Sequence, residues 1–152
     1  MKRFATLLTI ALVIACTAQA QTAEDSVKAT INRLFEGMKN ADTVLLKSAF
    51  ADAPILQTIA TDKKGKVYIK TEKYADFVKV TSQQKAGQAD ERIEFETIRI
   101  DGPLAMVWTP YQFYYKGKFR HCGVNSFQLV CLDGEWRIQY LIDTRRKNCD
   151  SK

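Results

Sequence analysis

The sequence predicts an α+β protein in which helices cover one side of a curved antiparallel sheet. Three observations support this class. Apolar residues recur at helical spacing in the first half of the chain, long strand-like segments follow one another in the second half, and two-residue turn motifs separate those segments. The chain has 152 residues, 46% of them hydrophobic, which suits one domain with one core.

The first twenty residues have the layout of a secretory signal peptide. Lys2 and Arg3 precede an apolar run over residues 4–15, and small residues precede a cleavage point after Ala20. The run is too short to remain as a membrane anchor. We therefore divide the chain into a signal peptide, 1–20, and one domain, 21–152, and expect a periplasmic or secreted protein. In an alternative interpretation, a lipobox ends at Cys16, and lipid on this cysteine attaches the exported protein to a membrane.

Three helices are expected in the first half. The first follows a cap at Thr22, and its apolar face comprises Val27, Ile31, Leu34, Phe35 and Met38. Asp42 can cap a short second helix, and Thr71 can cap a third. A strand over residues 55–61, a turn over 62–66 and a second strand from Val67 predict a hairpin between these two helices.

Four strands are expected in the second half, over residues 92–100, 104–115, 118–132 and 135–144. Lys116-Gly117 and Asp133-Gly134 are two-residue hairpin turns, and such turns fix the register of their strands. In this register one face of the sheet is apolar at one end and polar at the other, which is typical of a ligand pocket. The predicted ligand-binding residues on this face are Trp108, Gln112, His121, Asn125, Phe127, Tyr140 and Thr144.

His121 is the one histidine of the chain and the candidate for acid–base catalysis. The same register places Asp143 on the opposite face and leaves the last four strands without a carboxylate beside His121. We therefore expect His121 to be a hydrogen-bonded pocket residue and assign no catalytic residue. A β-bulge near Gly123 or Pro110 would reverse these face assignments.

The cysteines predict a disulfide and no metal site. Cys122 and Cys131 lie in one strand, about 30 Å apart at roughly 3.3 Å per residue, and cannot pair. Cys149 can fold back toward Cys122, so we expect a Cys122–Cys149 disulfide in an exported protein. No Cys-x-x-Cys pair is present. The net charge is +6, and the basic residues are spread along the chain apart from two short clusters at residues 63–66 and 145–147. We therefore predict neither a metal site nor nucleic-acid binding.

The strings HCGVNSF (121–127), GEWRI (134–138) and DTRR (143–146) carry a resemblance to a known family. Together with the helix–helix–hairpin–helix–sheet order, they resemble the nuclear transport factor 2-like (NTF2-like) superfamily, and more narrowly its exported bacterial members described as "putative lumazine-binding". The resemblance extends over residues 22–149. It implies a cone-like curved sheet wrapped by about three N-terminal helices, with a pocket inside. It does not select a function, because the superfamily includes isomerases, dehydratases, cyclases and non-catalytic binders.

These observations predict an exported protein that binds a small, mostly apolar molecule without a cofactor. One alternative is a cofactor-free isomerase, dehydratase or hydrolase that uses His121, and a cavity-facing carboxylate within reach of His121 would favour it. Another is a structural or dimerisation module whose interior is filled by side chains. We also expect a homodimer, because Tyr111, Phe113 and Tyr115 alternate on the predicted outer face and exposed aromatic rows mark contacts. We expect no membrane-spanning segment in the mature chain.

Overall fold

The computed structural model describes residues 23–149. The predicted signal peptide, the alternative lipid attachment at Cys16 and the predicted cap at Thr22 lie outside this range. The helices of the described chain are α1 (residues 23–40), α2 (Thr43–Ser48) and α3 (Tyr74–Ser82). Its strands are β1 (Phe50–Thr61), β2 (Val67–Glu72), β3 (Ala89–Ile93), β4 (Thr97–Asp101), β5 (Leu104–Tyr115), β6 (Lys118–Leu132) and β7 (Glu135–Thr144).

The strands form one curved sheet in the order β2-β1-β7-β6-β5-β3. Strand β4 also pairs directly with β5, at residues 104–108, whereas β3 pairs at residues 111–115. The β1–β7 pair is parallel, and all other neighbours are antiparallel. The α+β class is confirmed. The predicted single strand over 92–100 is instead two strands, both paired with β5.

The helices pack on the inner face of this sheet. The predicted apolar stripe of α1 is confirmed, because Val27, Ile31 and Leu34 are fully or almost fully buried in the main core. Asp42 caps α2, and its Oδ1 accepts hydrogen bonds from two backbone N–H groups at 2.9 Å. The predicted cap of the third helix at Thr71 is wrong. Thr71 belongs to β2, and α3 begins after Lys73 without a side-chain cap.

Both predicted hairpin turns are present, but each hairpin contains one extra residue. In β5–β6, Tyr114 pairs with Phe119 and Phe113 with His121, so that Arg120 has no partner in the ladder. In β6–β7 the pairing skips Gln139 in the same way. An unpaired residue in one strand of an antiparallel pair is a β-bulge, and it exchanges the two faces for every residue beyond it.

The bulges overturn several predicted face assignments. Asp143 pairs with Asn125 and shares its inward orientation, whereas the unbulged register places it outside. Tyr111 and Phe113, predicted on the outer face as dimer contacts, point inward, and Tyr111 is only 4% exposed. Trp108 and Gln112, predicted inside, alternate with inward residues of β5 and are exposed.

The C-terminal segment is tied back onto β6. Backbone hydrogen bonds of 3.0 and 2.9 Å join Cys122 and Arg146, and Cys122 and Cys149 form a disulfide with Cα atoms 5.9 Å apart. This is the pairing expected from the sequence. Cys131 is a free thiol of intermediate burial. Within residues 23–149, no helix is long and apolar enough to cross a membrane, and no group of three potential ligands could hold a metal ion.

Candidate functional site

A cavity of about 260 Å³ lies between the helices and the inner face of the sheet. One wall is apolar and comes from α1 and α3, with Leu34, Phe35, Met38, Phe77 and Val80 among its residues. The strands form the opposite wall, which includes apolar side chains such as Leu56, Phe113 and Leu141. One part of this wall is a polar cluster formed by Glu91, His121, Asn125, Asp143 and Arg145.

Glu91 reaches this wall from β3, where it pairs with Phe113 of β5. Its Oε1 accepts a hydrogen bond from Asn125 Nδ2 at 2.8 Å. Burial raises the pKa of Glu91 to about 7, and the negative charge of Asp143 adds to the rise, whereas the Asn125 hydrogen bond and Arg145 oppose it. Near neutral pH the carboxyl group therefore exists in both protonation states. Its second oxygen can donate or accept a hydrogen bond.

Tyr111 links His121 to Asp143 behind the cavity wall. Its hydroxyl oxygen lies 3.2 Å from His121 Nδ1 and 3.0 Å from Asp143 Oδ2. The carbonyl oxygen of Thr144 is also 3.0 Å away. A phenol has one hydrogen to donate, and the carboxylate and the carbonyl are pure acceptors that compete for it. The contact with His121 is therefore best satisfied when Nδ1 carries a hydrogen and donates it to Tyr111.

This tautomer leaves the other ring nitrogen of His121 as a hydrogen-bond acceptor. The imidazole stacks on Phe113 with ring centroids 5.1 Å apart, which fixes its plane. Burial lowers the pKa of His121, the positive charges of Arg145 and Lys147 lower it further, and Asp143 opposes them. His121 is therefore neutral near pH 7, and Nε2 can accept a proton or a hydrogen bond.

Asp143 forms an ion pair with Arg145 at the cavity wall. Arg145 Nε donates to its Oδ2 at 2.7 Å, and the Asp143 side chain is only 9% exposed. Gly123 allows β7 to approach closely at this point. A Cβ atom there would lie 1.8 Å from the carbonyl oxygen of Thr144. The position of Asp143 thus depends on the absence of a side chain at residue 123.

The family model described as "Putative lumazine-binding" matches residues 22–140. The chain belongs to this family. Among curated proteins, none matches it.

Solved structures show the NTF2-like fold for this member of the lumazine-binding family. An NTF2-like protein of unknown function from Shewanella baltica has 15% identity and a TM-score of 0.64, covering 84% of this chain and 96% of its own. One from Methylobacillus flagellatus has 17% identity and a TM-score of 0.63, covering 82% and 93%. A protein with a cystatin-like fold from Nostoc punctiforme has 12% identity and a TM-score of 0.64, covering 82% and 92%. At these identities the likeness concerns the fold alone.

The cavity of this lumazine-binding family member contains two of the seven predicted ligand-binding residues, His121 and Asn125. Phe127 faces inward but is fully buried in the core against Phe35. The other four do not line the cavity, because the bulges turn their side chains to the outer face. These four are Trp108, Gln112, Tyr140 and Thr144.

The sequence prediction missed Glu91, Asp143 and Phe113. Asp143 and Phe113 were missed because the unbulged register reverses their faces. Glu91 was missed because the predicted strand over residues 92–100 begins one residue after it, whereas β3 begins at Ala89. The signal that could have found it is the alternation of Ala89, Glu91 and Ile93 with polar residues, which is the pattern of a half-buried strand.

Proposed function

We propose that this protein binds a small, mostly apolar molecule whose polar group lies against Glu91, Asn125 and His121. The observation that carries this proposal is one cavity in which apolar side chains of α1 and α3 face a cluster of polar side chains on the strands. Ligand sites combine apolar lining with a few convergent polar groups in this way. The volume of about 260 Å³ is just below the usual range for ligand pockets, which favours a small ligand.

The polar groups suit a ligand that carries both a donor and an acceptor. Nε2 of His121 accepts a hydrogen bond in the tautomer set by Tyr111. The free oxygen of Glu91 donates when the carboxyl group is protonated. A hydroxyl, an enol or a ring amide could satisfy both, and burial would strengthen these bonds.

Native mass spectrometry of protein purified from its native host tests this proposal. We expect a retained mass that Asn125→Leu loses and that Trp108→Phe, on the outer face, keeps. Asn125→Leu keeps the number and branching of the side-chain heavy atoms but removes the amide that bonds Glu91. A protein that carries no ligand from its host and binds none of a panel of small apolar alcohols, enols and lactams would contradict the proposal.

A cofactor-free enzyme that transfers a proton within its ligand is the second candidate. It is favoured by the pairing, in one cavity, of a carboxyl group with a pKa of about 7 and a neutral imidazole. A cavity-facing carboxylate near His121 favours such an enzyme, and Asp143 is connected to His121 through the hydroxyl group of Tyr111. Incubation of the retained ligand with protein in heavy water distinguishes the two functions. Exchange of a carbon-bound hydrogen by the parent but not by Glu91→Gln would support catalysis, and absence of exchange by the parent would leave binding alone.

We also propose that the protein is exported and forms a homodimer through the outer face of β5–β7. Support for the dimer comes from apolar side chains on the outer face of three neighbouring strands, which are exposed or half-buried in the single chain: Trp108 of β5, Val124 of β6, and Tyr140 and Ile142 of β7. Light scattering should give a dimer mass for the parent and a monomer mass for Trp108→Arg. A monomeric parent at high micromolar concentration would contradict the dimer. Recovery of an uncleaved chain from the cytoplasm would contradict export.

A further inference from the structure

The β1–β2 hairpin has an exposed apolar segment flanked by lysines. Val67, Tyr68 and Ile69 are consecutive residues of edge strand β2 and are 63%, 47% and 60% exposed. Successive residues of a strand point to opposite faces, so one of the two faces is normally covered. Here side chains on both faces are open to solvent. No part of the described chain covers this segment.

The same hairpin concentrates positive charge. Lys63, Lys64, Lys66 and Lys70 surround the apolar segment and are all exposed. Within residues 23–149, none of these four lysines forms an ion pair. The one acidic residue of the turn is Asp62, whose Oδ1 accepts hydrogen bonds from the backbone N–H groups of Lys64 and Lys66 at 2.8 and 2.9 Å. The carboxylate thus shapes the turn and leaves the four ammonium groups uncompensated.

We propose that this hairpin docks the protein on an anionic lipid surface. Val67 and Ile69 would enter the boundary between headgroups and acyl chains, Tyr68 would place its ring at the same level, and the lysines would contact lipid phosphates. Apolar side chains and nearby lysines act together in interfacial binding, because each supplies part of the free energy. Lysine stems can also lie along apolar surface while their charges remain in water.

An anionic lipid surface fits this hairpin better than two other partners. A second copy would have to pair at the β2 edge, and four lysines on each copy would repel one another, which is how natural edge strands avoid self-association. A nucleic acid would use the lysines but leave the exposed Val67 and Ile69 without an apolar partner. The inference does not depend on the cavity having a ligand. However, Gln57, Thr58 and Glu72 of the same hairpin line the cavity, so the docked surface would lie beside it.

Cosedimentation with vesicles tests the inference. The vesicles contain phosphatidylcholine alone or phosphatidylcholine with an equal part of phosphatidylglycerol. All proteins carry Cys16→Ser, so that no lipid can be attached at this position. They are used as recovered from the cell, so that any effect of the N-terminal residues is the same in the parent and in every variant. We expect binding to the anionic vesicles only, and weaker binding at high salt. Changing Lys63, Lys64 and Lys66 to Gln should lower the partition coefficient about fivefold per lysine, hence roughly 100-fold in total.

The apolar part is tested separately by Val67→Ser with Ile69→Ser. We expect a roughly tenfold loss of partitioning for each side chain. The matched control changes Lys85, Arg99 and Lys118 to Gln. It removes the same charge from exposed positions away from the β2 edge and should bind like the parent.

Three outcomes would overturn the inference. The parent could fail to bind anionic vesicles, or the control could lose as much binding as the lysine variant. The serine variant could bind as tightly as the parent, which would indicate a general affinity for polyanions such as nucleic acid. Hydrogen exchange adds a further criterion. Vesicles should slow the hydrogen exchange of the backbone amides of residues 62–70. If exchange of these amides instead slows with rising protein concentration in the absence of vesicles, a second copy of the chain pairs with the β2 edge.

Discussion

Replacement of Glu91 by Gln should change how the stability of the protein depends on pH. Burial in the cavity wall raises the pKa of this carboxyl group from its ordinary value of 4.5 to about 7. Below pH 4.5 the group is protonated in both the folded and the unfolded chain. As the pH rises toward 7, the unfolded chain loses the proton first, so the folded state binds more protons and its stability falls. Glu91→Gln keeps an oxygen for Asn125 Nδ2 but has no charge to bury.

The size of the effect follows from the difference between the two pKa values. A difference of about 2.5 between the two pKa values, at roughly 1.4 kcal/mol for each unit of pH, gives about 3.5 kcal/mol. We expect the free energy of unfolding of Glu91→Gln to rise relative to that of the parent by about this amount between about pH 4 and pH 8. Urea denaturation at closely spaced pH values measures it. Other titrating groups, including His121, are common to both proteins and largely cancel.

The control is Glu94→Gln, which removes an exposed carboxyl group near the same strand. It should follow the parent curve at every pH. The reasoning would be refuted if Glu91→Gln also ran parallel to the parent. That result would mean that the Glu91 carboxyl group is as well solvated in the folded protein as in the unfolded chain, and the proton-transfer candidate would lose its main support.

Three further changes test the fold around the site. Gly123→Ala places a Cβ 1.8 Å from the Thr144 carbonyl oxygen, so calorimetry should show a loss of about 3 kcal/mol or more, and an unchanged melting temperature would contradict the close approach. Replacing Cys122 and Cys149 with Ser opens a link of 27 residues and should cost about 3–4 kcal/mol in denaturation. Thiol counting on the denatured parent protein, after cleavage of residues 1–20, should find one free thiol before reduction and three after it. Asp42→Ala removes two capping hydrogen bonds at 2.9 Å and should cost about 1 kcal/mol, whereas Asp42→Asn should cost less.

The sequence was sufficient to predict most elements of the fold, although it did not separate β3 from β4. The apolar stripe of α1, the cap at Asp42 and the two-residue turns are local signals, and each depends on a few neighbouring residues. Lys116 and Gly117 have φ of 53° and 73°, and Asp133 and Gly134 have 51° and 83°. Positive φ at both central residues is what a tight hairpin requires, and glycine adopts it readily.

The composition of the site was harder to predict because it depends on non-local packing. The bulges at Arg120 and Gln139 have no glycine or other turn residue that marks them in the sequence. They are selected by how β6 fits between its neighbours in a curved sheet. A one-residue change of register moves Asp143 from one face to the other without altering any local propensity. His121 and Asn125 were placed correctly because β6 contains no extra residue between them.

The bulge in β7 also bears on how relatives of this protein can diverge. If β7 paired with β6 without this bulge and kept all its residues, Tyr140 and Ile142 would point inside in place of Leu141 and Asp143. A carboxylate would leave the cavity and an aliphatic side chain would replace it, although no residue had been substituted. Among chains that share this fold at 12–17% identity, the presence or absence of one bulge can therefore exchange the chemistry of the cavity. Site residues in such relatives are better matched through strand pairing than through aligned columns.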